Sequence, residues 1–317
     1  MANQKPTLHP LKGVRILSLA LNLPGPAALM RCKAMGANCV KLEPPSPNQS
    51  FKGAAAGVSG DPMSQYSPEA YADLHKGVRI IAADLKTEAG QKVLHRELAK
   101  ADILITSFRP SAIEKLRLGW KALHKRYPTL SQIAIVGSPG TRAEAPGHDL
   151  TYLAENDLIT GLDLPATLYA DMGGSLMASE AVLQATLNQH ATGKGVFIEI
   201  ALSDAAQYLA LPRRWGLTKP TGPVGGAHAG YGVYACKDGR VAVAALEPHF
   251  ASRLCEAAGI AFPDSKVMLS QHTRQSISDF FRTQTRRQLD SLAAAKDLPL
   301  HTMDSLKSLS SSAPVLT

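Results

Sequence analysis

An α/β protein with a parallel sheet, joined to a second, smaller domain, is the fold class this sequence predicts. Three observations point there. Between residues 14 and 136, short apolar runs of strand length alternate with helical segments, the pattern of successive βαβ units. From Lys219 to Gly232 the chain carries five Gly and two Pro, and a hairpin pattern follows, so a boundary is expected near that stretch. Finally, the 317 residues are 45% hydrophobic and 19% charged. That composition supplies apolar material for two cores, at roughly 100–200 residues each, and excludes a chain disordered over most of its length.

The first strand is the buried run Val14 to Ala20. Pro24-Gly25-Pro26 turns the chain, and Pro26 suits a helix start, where a missing N–H leaves nothing unpaired. A helix follows from Ala27 to Met35, and Gly36 is its stop. Asn38 to Leu42 is the next strand. Residues 43 to 70, rich in Pro, Ser, Gly and Ala, read as a long loop. Val78 to Asp84 is a strand, and Thr87 to Ala101 an amphipathic helix with Val93, Leu94 and Leu98 on one face. Asp102 to Thr106 is a strand, helical segments run to about Arg126, and Ser131 to Val136 is a strand again. A turn-rich stretch reaches Gly147. Asp171 then opens a long helix, with Met172, Leu176, Leu183 and Leu187 on its apolar stripe, that stops near Thr192-Gly193. Val196 to Ala201 is the last strand before the boundary. Beyond it, Gly232 to Cys236 and Val241 to Leu246 flank Asp238-Gly239 as a β-hairpin, and helices are expected at about 249–258 and 273–295. The Ser-rich end, Ser308 to Thr317, reads as frayed.

The formal net charge is +8, but Lys and Arg are scattered and aromatics are only 5%. Nucleic-acid binders concentrate charge and, for single strands, interleave aromatics, so no nucleic-acid partner is expected. A soluble basic protein, or one that binds a polyanionic small ligand, fits better. Cys32, Cys39, Cys236 and Cys255 form no C-x-x-C pair, which fits a reducing compartment. The run Val14 to Met30 is the nearest thing to a membrane span, and Asn22, Pro24, Gly25 and Pro26 interrupt it. We therefore expect no membrane association and a cytoplasmic location.

Several chemistries lack their signatures. The first βα turn is Asn22-Leu23-Pro24-Gly25-Pro26, no G-x-G-x-x-G, and Gly193-Lys194 lacks the upstream Gly of a P-loop. There is no H-E-x-x-H and no His/Cys cluster at ligand spacing, so no metal is expected. Val136-Gly137-Ser138-Pro139-Gly140 falls one residue short of a G-x-S-x-G elbow.

Three polar positions remain: Gly147-His148-Asp149, Asp171-Met172-Gly173-Gly174, and Glu247-Pro248 after an apolar strand. Singly, each has a plain reading: a helix cap for the Asp, a surface His, a solvated Glu. Together they make a site. A carboxylate at a helix start ionises easily, and Gly173-Gly174 allow a ligand close to the backbone, whose N–H groups suit an oxyanion. A His is a second proton carrier near neutral pH, and Glu247 would orient its imidazole. These are the parts for removing a proton beside a carbonyl.

On these residues the chain resembles the family III CoA-transferase superfamily, and within it the α-methylacyl-CoA racemase branch. The likeness runs from about Leu11 to Val315 through ordered segments: LKGVRILSLA, PGPAALM, MGANCVKLEPPS, ADLKTEAGQKVL, ADILITSFRPSAIEKLRLGW, PGHDLTYLA, ADMGGSLMA, TGKGVFIEIALSDA, YGVYACKDGRVAVAALEPHF and PLHTM. The resemblance implies a Rossmann-like large domain and a smaller α+β domain in an interlocked homodimer. We place the large domain at 1–205, a linker at 206–226 and the small domain at 227–317. It implies His148 and Asp171 as two acid/base groups inverting C2 of a 2-methylacyl-CoA, Glu247 as a third catalytic residue, and Asp149, Gly173 and Gly174 at the substrate. It further implies Lys76, Arg79 and Arg109 at the CoA phosphates, with the CoA thioester as substrate and no cofactor. In transferase members the residue matching Asp171 is instead a nucleophile that forms an acyl-CoA anhydride. A third reading is a member that binds acyl-CoA without turnover. It is motivated by Pro44, where some members carry Arg, by His75-Lys76 in place of the usual Asn-Arg, and by a sequence that stops at Thr317, where members usually continue.

Overall fold

The structure, a computed structural model, describes residues 8–46 and 59–305. The part of the expected 43–70 loop at 47–58, and the Ser-rich end from 306 onward, lie outside the described residues. The chain divides after Ala210 into two compact units.

The first unit begins with β1 (Arg15–Ser18), α1 (Pro24–Ala34) and β2 (Asn38–Glu43). Two short helices follow, α2 (Met63–Tyr66) and α3 (Pro68–Leu74), then β3 (Arg79–Ala82), α4 (Glu88–Leu98) and β4 (Ile103–Thr106). Next come α5 (Pro110–Lys115), α6 (Trp120–Arg126), β5 (Ser131–Val136) and α7 (Asp149–Glu155). The unit closes with α8 (Tyr169–Thr192), β6 (Phe197–Ala201) and α9 (Leu202–Leu209). Every strand pairing is parallel, and the order is β3-β2-β1-β4-β5-β6. That is the doubly wound order of a Rossmann-like sheet.

Strand residues alternate between two cores, as a period of two requires. Ile16, Ile103, Ile105 and Ile133 pack with α1, α7 and α8, whereas Leu17, Leu42 and Leu104 pack with Leu94 and Leu98 of α4. β5 is buried along its whole length, the condition of a parallel strand covered on both faces. Thr87 caps α4 by accepting the Gly90 N–H at 3.1 Å.

Two expectations need correction. The 43–70 stretch is not all loop: α2 and the start of α3 lie in it, because Met63 and Leu74 have Ala27 of α1 to pack against. Most of the stripe expected to bury α8 also faces the other way. Met172, Leu176 and Leu187 are exposed, Leu183 packs against the core, and the buried face is Ala170, Ala178, Ala181, Val182 and Ala185. Small side chains let α8 lie close on α1 and the sheet, which the large ones would prevent.

The second unit begins with α10 (Leu211–Arg214) and the Gly-rich stretch, and holds an antiparallel sheet of β7 (Tyr231–Cys236), β8 (Gly239–Ala244) and β9 (Leu300–Met303) in the order β7-β8-β9. Its core gathers Val241, Leu254, Ile277, Phe281 and Leu289 from the sheet and from α11 (Pro248–Ala257), α12 (Gln271–Thr283) and α13 (Arg286–Lys296). The single helix expected over 273–295 is two, because Thr285 accepts the Gln288 N–H at 3.3 Å and caps a new start. Among the described residues no helix is long and apolar enough to cross a membrane.

Candidate active site

In a doubly wound sheet the chain leaves neighbouring strands in opposite directions at one place, and a crevice opens there beyond the carboxyl ends of the strands. Here that place lies between β1 and β4. The loop after β1 (Leu21, Asn22, Leu23, Pro24) and the loop after β4 (Ser107, Phe108, Arg109) line one cleft of about 730 Å³. The Leu21 N–H donates to Ser107 Oγ at 3.2 Å and ties the two loops together. Gly137 at the end of β5, His148, Asp149, Tyr152 and Asp171 line the same cleft.

His148 precedes the first residue of α7. Its N–H donates to Thr151 Oγ1 at 3.1 Å, and Thr151 Oγ1 donates back to the His148 carbonyl at 2.8 Å. The backbone is thereby pinned, while the imidazole is exposed. Asp149 is buried, 4% exposed, and its Oδ1 accepts the Asp171 N–H at 3.0 Å. One residue therefore follows the histidine directly and holds the backbone of the aspartate.

Asp171 is the third residue of α8, not its cap. Leu168, at the cap position, offers no side-chain bond, and Asp149 takes up the first-turn donor that a cap would otherwise satisfy. Burial pushes the Asp171 carboxyl up to about 6, the neighbouring Asp149 charge adds to this, and His148 opposes it. The helix start therefore does not win. A poorly hydrated carboxyl beside another carboxylate resists ionisation more than the N–H groups favour it.

Gly173 and Gly174 are not among the residues that line the cleft. Met172 N–H already returns to the Leu168 carbonyl at 3.0 Å, so the Gly173 amide falls within the helical ladder and is not free for an oxyanion. A side chain at Gly174 would run into Leu202, and one at Gly173 would press Ala205 and Leu209 at 3.3 Å. These glycines let α9 pack against α8. Among the described residues, the amides of Asp149 and Leu150, in the first turn of α7 at the cleft, have no hydrogen-bond partner.

Of the expected cations, Arg109 lines the cleft and makes no ion pair among the described residues. Lys76 and Arg79 are not brought there. Arg79 begins β3, at the amino ends of the strands, and binds Glu97 at 2.5 Å; Lys76 sits exposed in the turn leading into it. Glu247 belongs to the second unit, just before α11, with an exposed side chain.

Sequence reasoning missed a buried cluster beside the cleft. Lys41 in β2 is fully buried and contacts Asp61 at 2.5 Å, His75 Nε2 at 2.9 Å and Glu43 at 3.3 Å. The available signal was a lysine in the middle of the apolar run Cys39-Val40-Lys41-Leu42.

A family model described as CoA-transferase family III matches residues 11–315. The alpha-methylacyl-CoA racemase of Mus musculus is 28% identical over 298 residues, covering 87% of this chain and 73% of its own. The succinyl-CoA:glutarate CoA-transferase of Mus musculus is 26% identical over 260 residues, covering 75% of this chain and 57% of its own. In fold, the crystal structure of a hypothetical protein from Mycobacterium tuberculosis matches with a TM-score of 0.78 at 23% identity, covering 98% of this chain and 88% of that one.

Proposed function

The chain belongs to CoA-transferase family III, and on that premise we propose that it inverts C2 of a 2-methylacyl-CoA by moving a proton through an enolate. One observation carries the reading. An exposed imidazole and a carboxyl raised to about 6 line one cleft, their backbones joined through Asp149.

Racemisation needs a base on one face of C2 and an acid on the other. In one direction the neutral His148 imidazole takes the proton, and the electron pair moves onto the thioester oxygen as an enolate. Protonated Asp171 then returns a proton to the opposite face. In the reverse direction the ionised Asp171 is the base and the imidazolium the acid. A carboxyl near 6 suits both tasks: at pH 7 most of it is base, and about a tenth is still acid. The amides of Asp149 and Leu150 suit the enolate oxygen, where such a donor is worth about 3 kcal/mol. Arg109 is the cleft's cation for a CoA phosphate. The exposed stripe Met172, Leu176 and Leu187 suits the homodimer that the resemblance implies, and Glu247 keeps its implied role on an imidazole, with Glu247→Gln as its test.

The transferase reading shares Asp171, whose carboxylate would attack the thioester and release CoA as thiolate. It is supported by transferases among the relatives, but it has no use for His148. The test is deuterium uptake at C2 of a 2-methylacyl-CoA in heavy water. Uptake by the wild type, lost in both His148→Ala and Asp171→Ala, is expected. Absence of uptake with CoA transfer to a second carboxylate, dependent on Asp171 alone, would overturn it.

A further inference from the structure

One wall of the cleft carries a polar pair held by a buried charge. Asn22, in the loop after β1, has a φ of +62°. That is the left-handed region, strained for any residue with a Cβ, though Asn tolerates it better than most. Glycine would hold the same turn at less cost, so what asparagine adds there is its carboxamide. The Asn22 N–H donates to Asp61 Oδ1 at 3.1 Å, and the same oxygen accepts the Met63 N–H at 3.0 Å. The other carboxylate oxygen takes Lys41 Nζ at 2.5 Å, and both side chains are fully buried.

The rest of the cluster fixes that lysine. An ammonium only donates, so His75 Nε2 accepts from it at 2.9 Å, and His75 Nδ1–H donates to the Tyr71 carbonyl at 2.6 Å. His75 is thereby neutral. Glu43 supplies a second carboxylate to Lys41 and accepts the Tyr71 hydroxyl at 3.2 Å.

Met63 opens α2 and Tyr66 closes it, so Asp61 anchors the turn that bears the tyrosine. The Tyr66 hydroxyl approaches Asn22 Oδ1 at 3.5 Å, a weak contact, and the ring is 65% exposed. No described residue takes up the other end of the Asn22 carboxamide. Asn22, Met63 and Tyr66 all line the cleft that holds Asp171.

We propose that Asn22 and Tyr66 determine specificity in this cleft, favouring an acyl group with a hydrogen-bonding substituent over a plain alkyl chain, and that buried Asp61 is the positioning residue that presents them. The proposal rests on the acyl-CoA reading above. The substituent is a hydroxyl or a carbonyl, since the pair offers both donors and acceptors.

The test compares a 2-methylacyl-CoA bearing a straight alkyl chain with its ω-hydroxy counterpart. Dissociation constants come from calorimetry, and kcat and KM from exchange at C2. The hydroxylated thioester should bind about three- to tenfold tighter, the range for one net hydrogen bond. Tyr66→Phe and Asn22→Gly should each bring the ratio of the two affinities toward one. Asp61→Asn, which keeps an acceptor but loses the charge facing Lys41, should raise KM for the hydroxylated thioester more than for the alkyl one. A general loss of structure would instead lower kcat for both alike. If Asp61→Asn does not fold, the other two variants decide the specificity. A wild-type ratio of one overturns the proposal. So does a Tyr66→Phe that weakens both thioesters by the same factor, because the pair would then be touching the pantetheine arm. Selective binding without exchange sinks the racemisation reading and leaves the selectivity standing; exchange without selectivity does the reverse; binding of neither thioester removes both.

Discussion

Glu97 and Asp171 are carboxylates on two helices of the same unit, at opposite ends of the same parallel strands. Around Glu97, at the amino ends, stand Arg79 at 2.5 Å, Arg96 at 3.3 Å and Lys100 at 3.5 Å. Burial pushes the Glu97 carboxyl up, but these cations, Arg79 first, outweigh it and hold the group below its ordinary range. Asp171, at the carboxyl ends, is also shielded from water, yet its close neighbour is another carboxylate, and it is pushed up to about 6. The two ends of the sheet thus differ less in burial than in company. Where cations satisfy a carboxylate, it binds structure together. Where they are withheld, it keeps a proton within reach of neutral pH, and Arg109 of the same cleft makes no ion pair among the described residues.

The comparison breaks most sharply at Asp171. Asp171→Asn should lower C2 exchange by about 10³-fold, within the range for a general acid or base. The same variant should be more stable than wild type at pH 8, by on the order of 2 kcal/mol. A folded-state carboxyl raised above its unfolded value binds more protons folded than unfolded. Its contribution is therefore fullest below about pH 4 and declines as the pH rises toward 6, so the two proteins should converge in acid. Urea unfolding at both pH values checks this, and equal stability at pH 8 would remove the strain assigned to Asp171.

The cations at the two ends give the next effect. Arg109→Ala should raise KM for the thioester by about tenfold, and Arg79→Ala should change it by less than about twofold. A large effect at Arg79 would restore the phosphate role that the resemblance implies. Smallest is Glu97→Gln. It should cost about 1 kcal/mol after solvent screening of its half-exposed partners and leave kcat unchanged. Because its folded-state value is depressed, that stabilisation is present above the ordinary carboxylate range and is lost as pH falls through the lowered value. Thermal unfolding from pH 7 to pH 3 measures it.

Much of the fold was legible because strand and helix periods are local. Ser131 to Val136 reads as a strand and is one, and Gly193 ends α8 in the left-handed conformation with φ of +70°. What a neighbour decides was less legible. The alanine face of α8 is buried only because α1 and the sheet lie against it. β9 is four residues long and pairs with β8, more than fifty positions away, so no local pattern marks it. At the site, His148 and Asp171 were visible as residue types in turn-rich settings, and Arg109 only through the resemblance. Arg79 was expected at the phosphates from the resemblance alone, and the fold sets it at the amino end of β3. Lys41 and Asp61 escaped because they are twenty residues apart and meet only when β2 and the segment after it are folded.

The bond from the Asp171 N–H to Asp149 has one more consequence, for how such a chain can diverge. It ties His148 to Asp171 through one strap, whatever path the chain takes between α7 and α8. That path, from Asn156 to Leu168, includes Leu162 and Leu164, which are exposed and outside the cores. Leu158 and Ile159 pack against the core and Leu168 lines the cleft, so it is the stretch between them that can lengthen, shorten or change its chemistry while His148 and Asp171 stay in place. Variation there can retune what reaches the cleft without rebuilding the cleft itself.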